Sequence, residues 1–170
     1  MDDLKNGQAL NILSLEEEVG SLLRAGRNTL ALAESCTGGL VSHRLTNIPG
    51  SSDYFICGFV TYSDSTKKTV LGVGQDLLAR YGAVSAPVVK AMARGAKRLA
   101  GADFALALSG VAGPTGGSRE KPVGLVYIAL ESPAGTKVAE YRFQGERAAV
   151  KNQSAREALL MLKGALLEGG

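Results

Sequence analysis

Apolar residues along the chain alternate between helical and strand spacings, and each change of spacing predicts a new element. From Leu10 to Arg27 the positions Leu10, Leu13, Val19, Leu22 and Leu23 fall on one helical stripe. Ser14 is placed to cap a turn there, and Glu16, Glu17 and Glu18 favour a helix start. Thr29–Ala33 (TLALA) reads as a short strand running into ESCTGG, followed by a helix over Gly38–Leu45 and a turn over Asn47–Ser52. A second strand, Phe55–Tyr62 (FICGFVTY), leads to a helix from Ser63 or Ser65 to about Leu71 and a short one over Gly74–Tyr81. Ser85 caps a longer helix that tolerates Pro87 in its first turn and runs to about Ala100. Val88, Val89, Met92, Ala96 and Leu99 lie on one side of it. Strands Asp103–Ser109, Gly124–Glu131 and Thr136–Phe143 follow. Glu146–Leu167 closes the chain as one helix, with Val150, Leu159, Leu162 and Leu166 on its apolar face.

The order α-β-α-β-α-α-β-β-β-α, with no internal repeat, predicts a single α/β domain whose core covers about residues 14–166. Early alternation with crossover helices requires parallel strands, and the late strands imply an antiparallel hairpin. The expected class is a three-layer arrangement, a mixed, partly parallel sheet covered by helices on both faces. Ligands in such sheets gather at loops that follow strands.

Composition narrows the function classes. A length of 170 residues with 45% hydrophobic content fits one globular domain and excludes a disordered tail. No apolar run approaches the roughly 18 residues of a membrane span. The polar, acidic start Met-Asp-Asp-Leu-Lys-Asn is unlike a signal peptide, so a soluble cytoplasmic domain is expected. Nineteen basic and 16 acidic residues leave a charge of +3, with basic pairs only at Lys67-Lys68 and Lys97-Arg98. That scatter favours solvated helix faces over a nucleic-acid groove. Cys36 and Cys57 form neither a disulfide framework nor metal-ligand spacing, and the lone His43 excludes sites that need two imidazoles. Neither a metal nor a cofactor is expected. Glycine is the unusual residue: 22 of 170, against an average of about 7%. It clusters at Gly38-Gly39 and at Gly110, Gly113, Gly116 and Gly117.

Three segments could carry chemistry. Glu34-Ser35-Cys36-Thr37-Gly38-Gly39 joins a strand to a helix and places three candidate nucleophiles in one turn. Amides at such a helix start attract anions and stabilise an oxyanion, although Ser35 or Thr37 could simply cap the helix. His43 lies two helical turns beyond Ser35, about 8 Å or more away, too far to be its base. Lys67, after the second strand, is either a solvated side chain or the base of a Ser–Lys pair. The second role needs a lowered pKa, from desolvation or from a positive neighbour such as Lys68. The loop from Gly110 to Gly117 matches no P-loop and opens no helix, so it is either a long connection or a phosphate cradle. Arg147 could clamp a phosphate or carboxylate, or pair with Glu146 or Glu140 at the surface.

Together, AESCTGG, FVTYS with Lys67 beyond it, SGVAGPTGG running to KPVG, and GER near the last helix resemble the CinA C-terminal domain family. That family comprises the nicotinamide-nucleotide amidohydrolases, also described as competence/damage-inducible proteins. The resemblance extends over about residues 14–166 and implies hydrolysis of the carboxamide of nicotinamide mononucleotide to nicotinate mononucleotide and ammonia. It implies Ser35 as nucleophile, Lys67 as base, Tyr62 as a further catalytic-site residue that shapes the site or assists proton transfer, and Arg147 as a phosphate ligand. Amides of Thr37, Gly38 and Gly39 would then hold the oxyanion, and Gly110, Gly113 and Gly117 would contact the nucleotide. A homodimer or larger assembly is also implied, with no nucleic-acid or membrane partner. Many members carry a large N-terminal domain for which 170 residues have no room, so a stand-alone form is expected. Two alternatives are another small amide as substrate, and a non-catalytic nucleotide-binding or protein-interaction module linked to competence or DNA damage.

Overall fold

In the computed structural model, which describes residues 13–169, the first helix α1 (Leu15–Ala25) starts at a capping box. Ser14 Oγ accepts from the Glu17 amide while the Glu17 carboxylate accepts from the Ser14 amide, so two orphan amides of the helix start are satisfied. Positions 10–12 of the expected helix lie outside the described residues. Next come β1 (Leu30–Glu34), α2 (Leu40–Thr46), β2 (Phe55–Val60), α3 (Asp64–Leu71), α4 (Gln75–Tyr81) and α5 (Ala86–Ala100). The chain ends with β3 (Phe104–Gly110), β4 (Leu125–Ser132), β5 (Gly135–Arg142) and α6 (Arg147–Glu168). One five-stranded sheet has the order β2-β1-β3-β4-β5, parallel across β2, β1 and β3 and antiparallel from β3 to β5.

The alternation inside β1 and β3 builds the two faces. Leu30 and Leu32 of β1 and Phe104, Leu106 and Leu108 of β3 point to the layer of α1, α2 and α6. Ala31, Ala33, Ala105 and Ala107 point to the layer of α3, α4 and α5. Alanines on the second face let α5 lie close to the sheet, and its own glycine brings it against α3. A Cβ on Gly95 would stand 2.1 Å from the Leu71 carbonyl oxygen. The three-layer α/β arrangement is therefore as expected. Among the described residues no helix is long and apolar enough to cross a membrane.

Local departures have local causes. The helix expected from Gly38 starts at Leu40, because Gly38 and Gly39 adopt φ of +63° and +95° and turn the chain first. β2 stops at Val60, two residues short, where the Thr61 amide makes a last bond to the Glu34 carbonyl. Leu99 faces outward at 51% exposure, and Ala100 takes the inward position in the last turn of α5.

Candidate functional site

β1 lies between two parallel neighbours, so its C-terminal end is held from both sides. The Glu34 carbonyl accepts from the Thr61 amide and the Ser35 amide donates to the Leu108 carbonyl, each at 3.0 Å. Ser35 thus leaves the sheet at a fixed point above the ends of three parallel strands, the usual position of ligand sites in open α/β sheets. α3 passes over that point and delivers Lys67, which is 1% exposed. Lys67 Nζ lies 3.2 Å from Ser35 Oγ, 2.9 Å from the Thr61 carbonyl oxygen and 3.3 Å from that of Tyr62. Burial pulls the Lys67 pKa below its ordinary value, against smaller opposing contributions from Asp64 and Cys36. Lys68, weighed as a charged neighbour, is exposed and is not the cause.

Ser35, Cys36 and Lys67 open into a cleft of about 290 Å³, whose far wall is Ser109 and the loop from Gly110 to Gly116. Cys36 is buried and its thiol is pushed up to about 11, mainly by desolvation, with the Glu34 carboxylate adding to the rise. Arg147, at the start of α6, makes none of the expected surface ion pairs with Glu146 or Glu140. It donates to the Gly113 carbonyl at 2.7 Å and to the Tyr62 hydroxyl at 2.9 Å, bridging the two walls. Tyr62 itself is 58% exposed: its hydroxyl meets Arg147 while its carbonyl meets Lys67. Beyond Arg147 a second cavity of about 660 Å³ is lined by Leu40, Pro114, Val123, Ala148, Lys151 and Asn152, among others.

Some expected site residues are placed elsewhere. Thr37 is fully buried, the Gly38 amide donates to the Ser35 carbonyl, and the Gly39 amide donates to the Glu34 carboxylate. Those two glycine amides are therefore engaged and not free for an oxyanion. Gly110, Gly113 and Gly116 line the cleft, whereas Gly117 packs on the backbone of Val123. His43 is exposed beside Asn47, away from the cleft.

Sequence reasoning assigned no role to Glu34, Ser109 or Lys151. Glu34 had a usable signal: an acidic residue just before a helix start is where a carboxylate finds amide donors. Ser109, which donates to the Ala83 carbonyl at 2.8 Å, and Lys151 carry no local signal, because only the tertiary fold brings them to the site.

The profile of the CinA C-terminal domain family matches residues 12–166. A CinA-like protein of Geobacter sulfurreducens is 53% identical over 154 residues, covering 91% of this chain and 37% of that protein. A putative competence-damage inducible protein of Moorella thermoacetica is 51% identical over 149 residues, covering 88% of this chain and 36% of that protein. The chain thus spans little more than a third of the length of these relatives. Among solved structures, a competence-damaged protein (CinA) superfamily protein from Klebsiella pneumoniae superposes with a TM-score of 0.88 at 38% identity, covering 91% of this chain and 96% of that one. The competence/damage inducible protein CihA from Agrobacterium tumefaciens gives 0.87 at 42% identity, covering 89% and 93%. With a family match along nearly its whole length and relatives at half identity, the chain belongs to the CinA C-terminal domain family.

Proposed function

We propose that this domain is a serine–lysine amidase that hydrolyses the carboxamide of nicotinamide mononucleotide to nicotinate mononucleotide and ammonia. The observation that carries the reading is a buried lysine amine 3.2 Å from a serine hydroxyl at the floor of a cleft. A neutral amine has two hydrogens and one lone pair. The Thr61 and Tyr62 carbonyls accept the hydrogens, which leaves the lone pair for the Ser35 hydroxyl.

In the proposed reaction Lys67 takes the proton of Ser35 as Oγ attacks the amide carbon. The ammonium so formed gives a proton to the nitrogen as the carbon–nitrogen bond breaks and ammonia leaves. Water then attacks the ester by the reverse path, and Ser35 recovers its proton. For the oxyanion we assign the amides of Ala112 and Gly113 across the cleft, which donate to no backbone carbonyl among the described residues. Arg147, with Lys151 beyond it, supplies positive charge for the phosphate end.

Ammonia release from nicotinamide mononucleotide, measured on the parent, Ser35→Ala and Lys67→Ala, tests the reading. Turnover in the parent and a loss of at least about 1,000-fold in both variants supports it. An inactive parent that still binds the nucleotide would instead establish a binding module. Equal turnover of free nicotinamide and the mononucleotide would remove the assigned role of the phosphate.

A further inference from the structure

Glu34 is a fully buried carboxylate that the proposed reaction does not use. A buried charge is costly unless it is surrounded by donors, and this one is. One oxygen accepts from the Gly39 and Val41 amides, each at 3.1 Å. The other accepts from the Ser42 amide at 2.9 Å and the Ser42 hydroxyl at 2.7 Å. α2 has glycine at its cap position and no side-chain cap of its own, so the carboxylate that satisfies its first amides reaches over from the end of β1.

The nucleophile sits between the two ends of this staple. On one side, the backbone of residues 34 and 35 is tied to β2 and β3. On the other, the carboxylate of residue 34 holds residues 39 to 42, and Gly38 and Gly39 supply the left-handed turns that let the loop close. Ser35 is thus constrained from both directions, whereas an ordinary cap at position 39 would hold the helix and leave the turn free. A misplacement of about 1 Å between reacting groups can cost about 100-fold in rate.

We infer that Glu34 is a positioning residue, whose carboxylate anchors the turn so that Ser35 Oγ stays within hydrogen-bond distance of Lys67. The inference rests on the serine–lysine reading of the same site. Gln at this position keeps the size and one acceptor, but its amide nitrogen faces amide donors. Asp keeps the charge at shorter reach.

The test uses the full chain, with Glu34→Gln, Glu34→Asp and the parent compared after their Tm values are shown to lie within a few degrees. Turnover of nicotinamide mononucleotide and the rate of Ser35 modification by a fluorophosphonate, which loses fluoride to an activated serine, are measured together. Glu34→Gln is expected to lower both kcat and the modification rate by about 10- to 100-fold, with KM changed less than about threefold. Glu34→Asp is expected to recover part of each loss. Parent-like rates in a folded Glu34→Gln overturn the inference. Amide hydrogen exchange of residues 39–42 separates this result from failure of the enzymatic reading itself. If the parent neither turns over the nucleotide nor reacts at Ser35, faster exchange confined to that turn in Glu34→Gln still supports the anchor, and unchanged exchange overturns it.

Discussion

A lysine amine sealed from water can remain an ion beside a carboxylate or give up its proton, and Lys67 contacts a hydroxyl and two carbonyls instead of a carboxylate. Its lowered pKa follows from desolvation. Because the neutral form is the base in the proposed reaction, kcat/KM is expected to rise with pH to a plateau, with a midpoint below the ordinary lysine value of 10.5. A rate profile whose limb lies at or above that value would contradict a buried base. Stability carries the same signature. Between the lowered folded pKa and 10.5 the unfolded chain binds a proton that the native chain lacks, so the free energy of unfolding climbs with pH across that window. Lys67→Met is expected to flatten this part of the stability profile, as read by urea denaturation at several pH values. Cys36 is the opposite case, a thiol held protonated in the cleft. Cys36→Ala is expected to keep turnover within about threefold of the parent, and iodoacetamide at neutral pH is expected to leave Cys36 unmodified, checked by mass spectrometry.

At the scale of elements, the site depends on how tightly α5 holds α3. Gly95→Ala would favour the helix by about 1 kcal/mol in isolation. The added methyl, however, meets the Leu71 carbonyl in the same α3 that carries Lys67. A net destabilisation of about 1–3 kcal/mol is expected in urea titration, together with a fall in kcat as the lysine shifts. Parent-like stability in this variant would show that the two helices can part freely. The elements themselves were largely readable in the sequence. LALA in β1 and FALAL in β3 place leucine on one face and alanine on the other, and that contrast foretells both a double-sided sheet and a close helix on the alanine side. Sheet order was not readable, because nothing in the local pattern of β1 says that β2 and β3 flank it. The burial of Lys67 was hidden for a related reason. Its neighbours Ser65, Thr66, Lys68 and Thr69 look like a solvated helix, and only α3's passage over the end of β1 makes its environment dry. Glu34 stood in plain view beside Ser35, but its donors are set by a glycine turn whose path depends on the fold.

For the molecule as a whole, the cleft is closed by contacts between distant stretches of chain. Arg147 ties the start of α6 to the Gly113 loop and to Tyr62, so three segments meet at one guanidinium. Arg147→Ala is expected to raise KM for the mononucleotide at least about tenfold while lowering kcat less, and Tyr62→Phe is expected to move KM in the same direction by a smaller amount. A kcat loss in Arg147→Ala with unchanged KM would instead place the arginine at the reacting atoms.

The burial of Lys67 also bears on how the chain folds. Pairing of β1 with β3 joins segments far apart in sequence, so this part of the sheet forms through slow, non-local contacts. Until β1, β2 and α3 have come together, the lysine is a hydrated ammonium at neutral pH and Ser35 is an ordinary alcohol. On the serine–lysine reading, a nascent or half-folded chain therefore carries no active nucleophile, and the proposed hydrolytic power would arise only with the completed native structure.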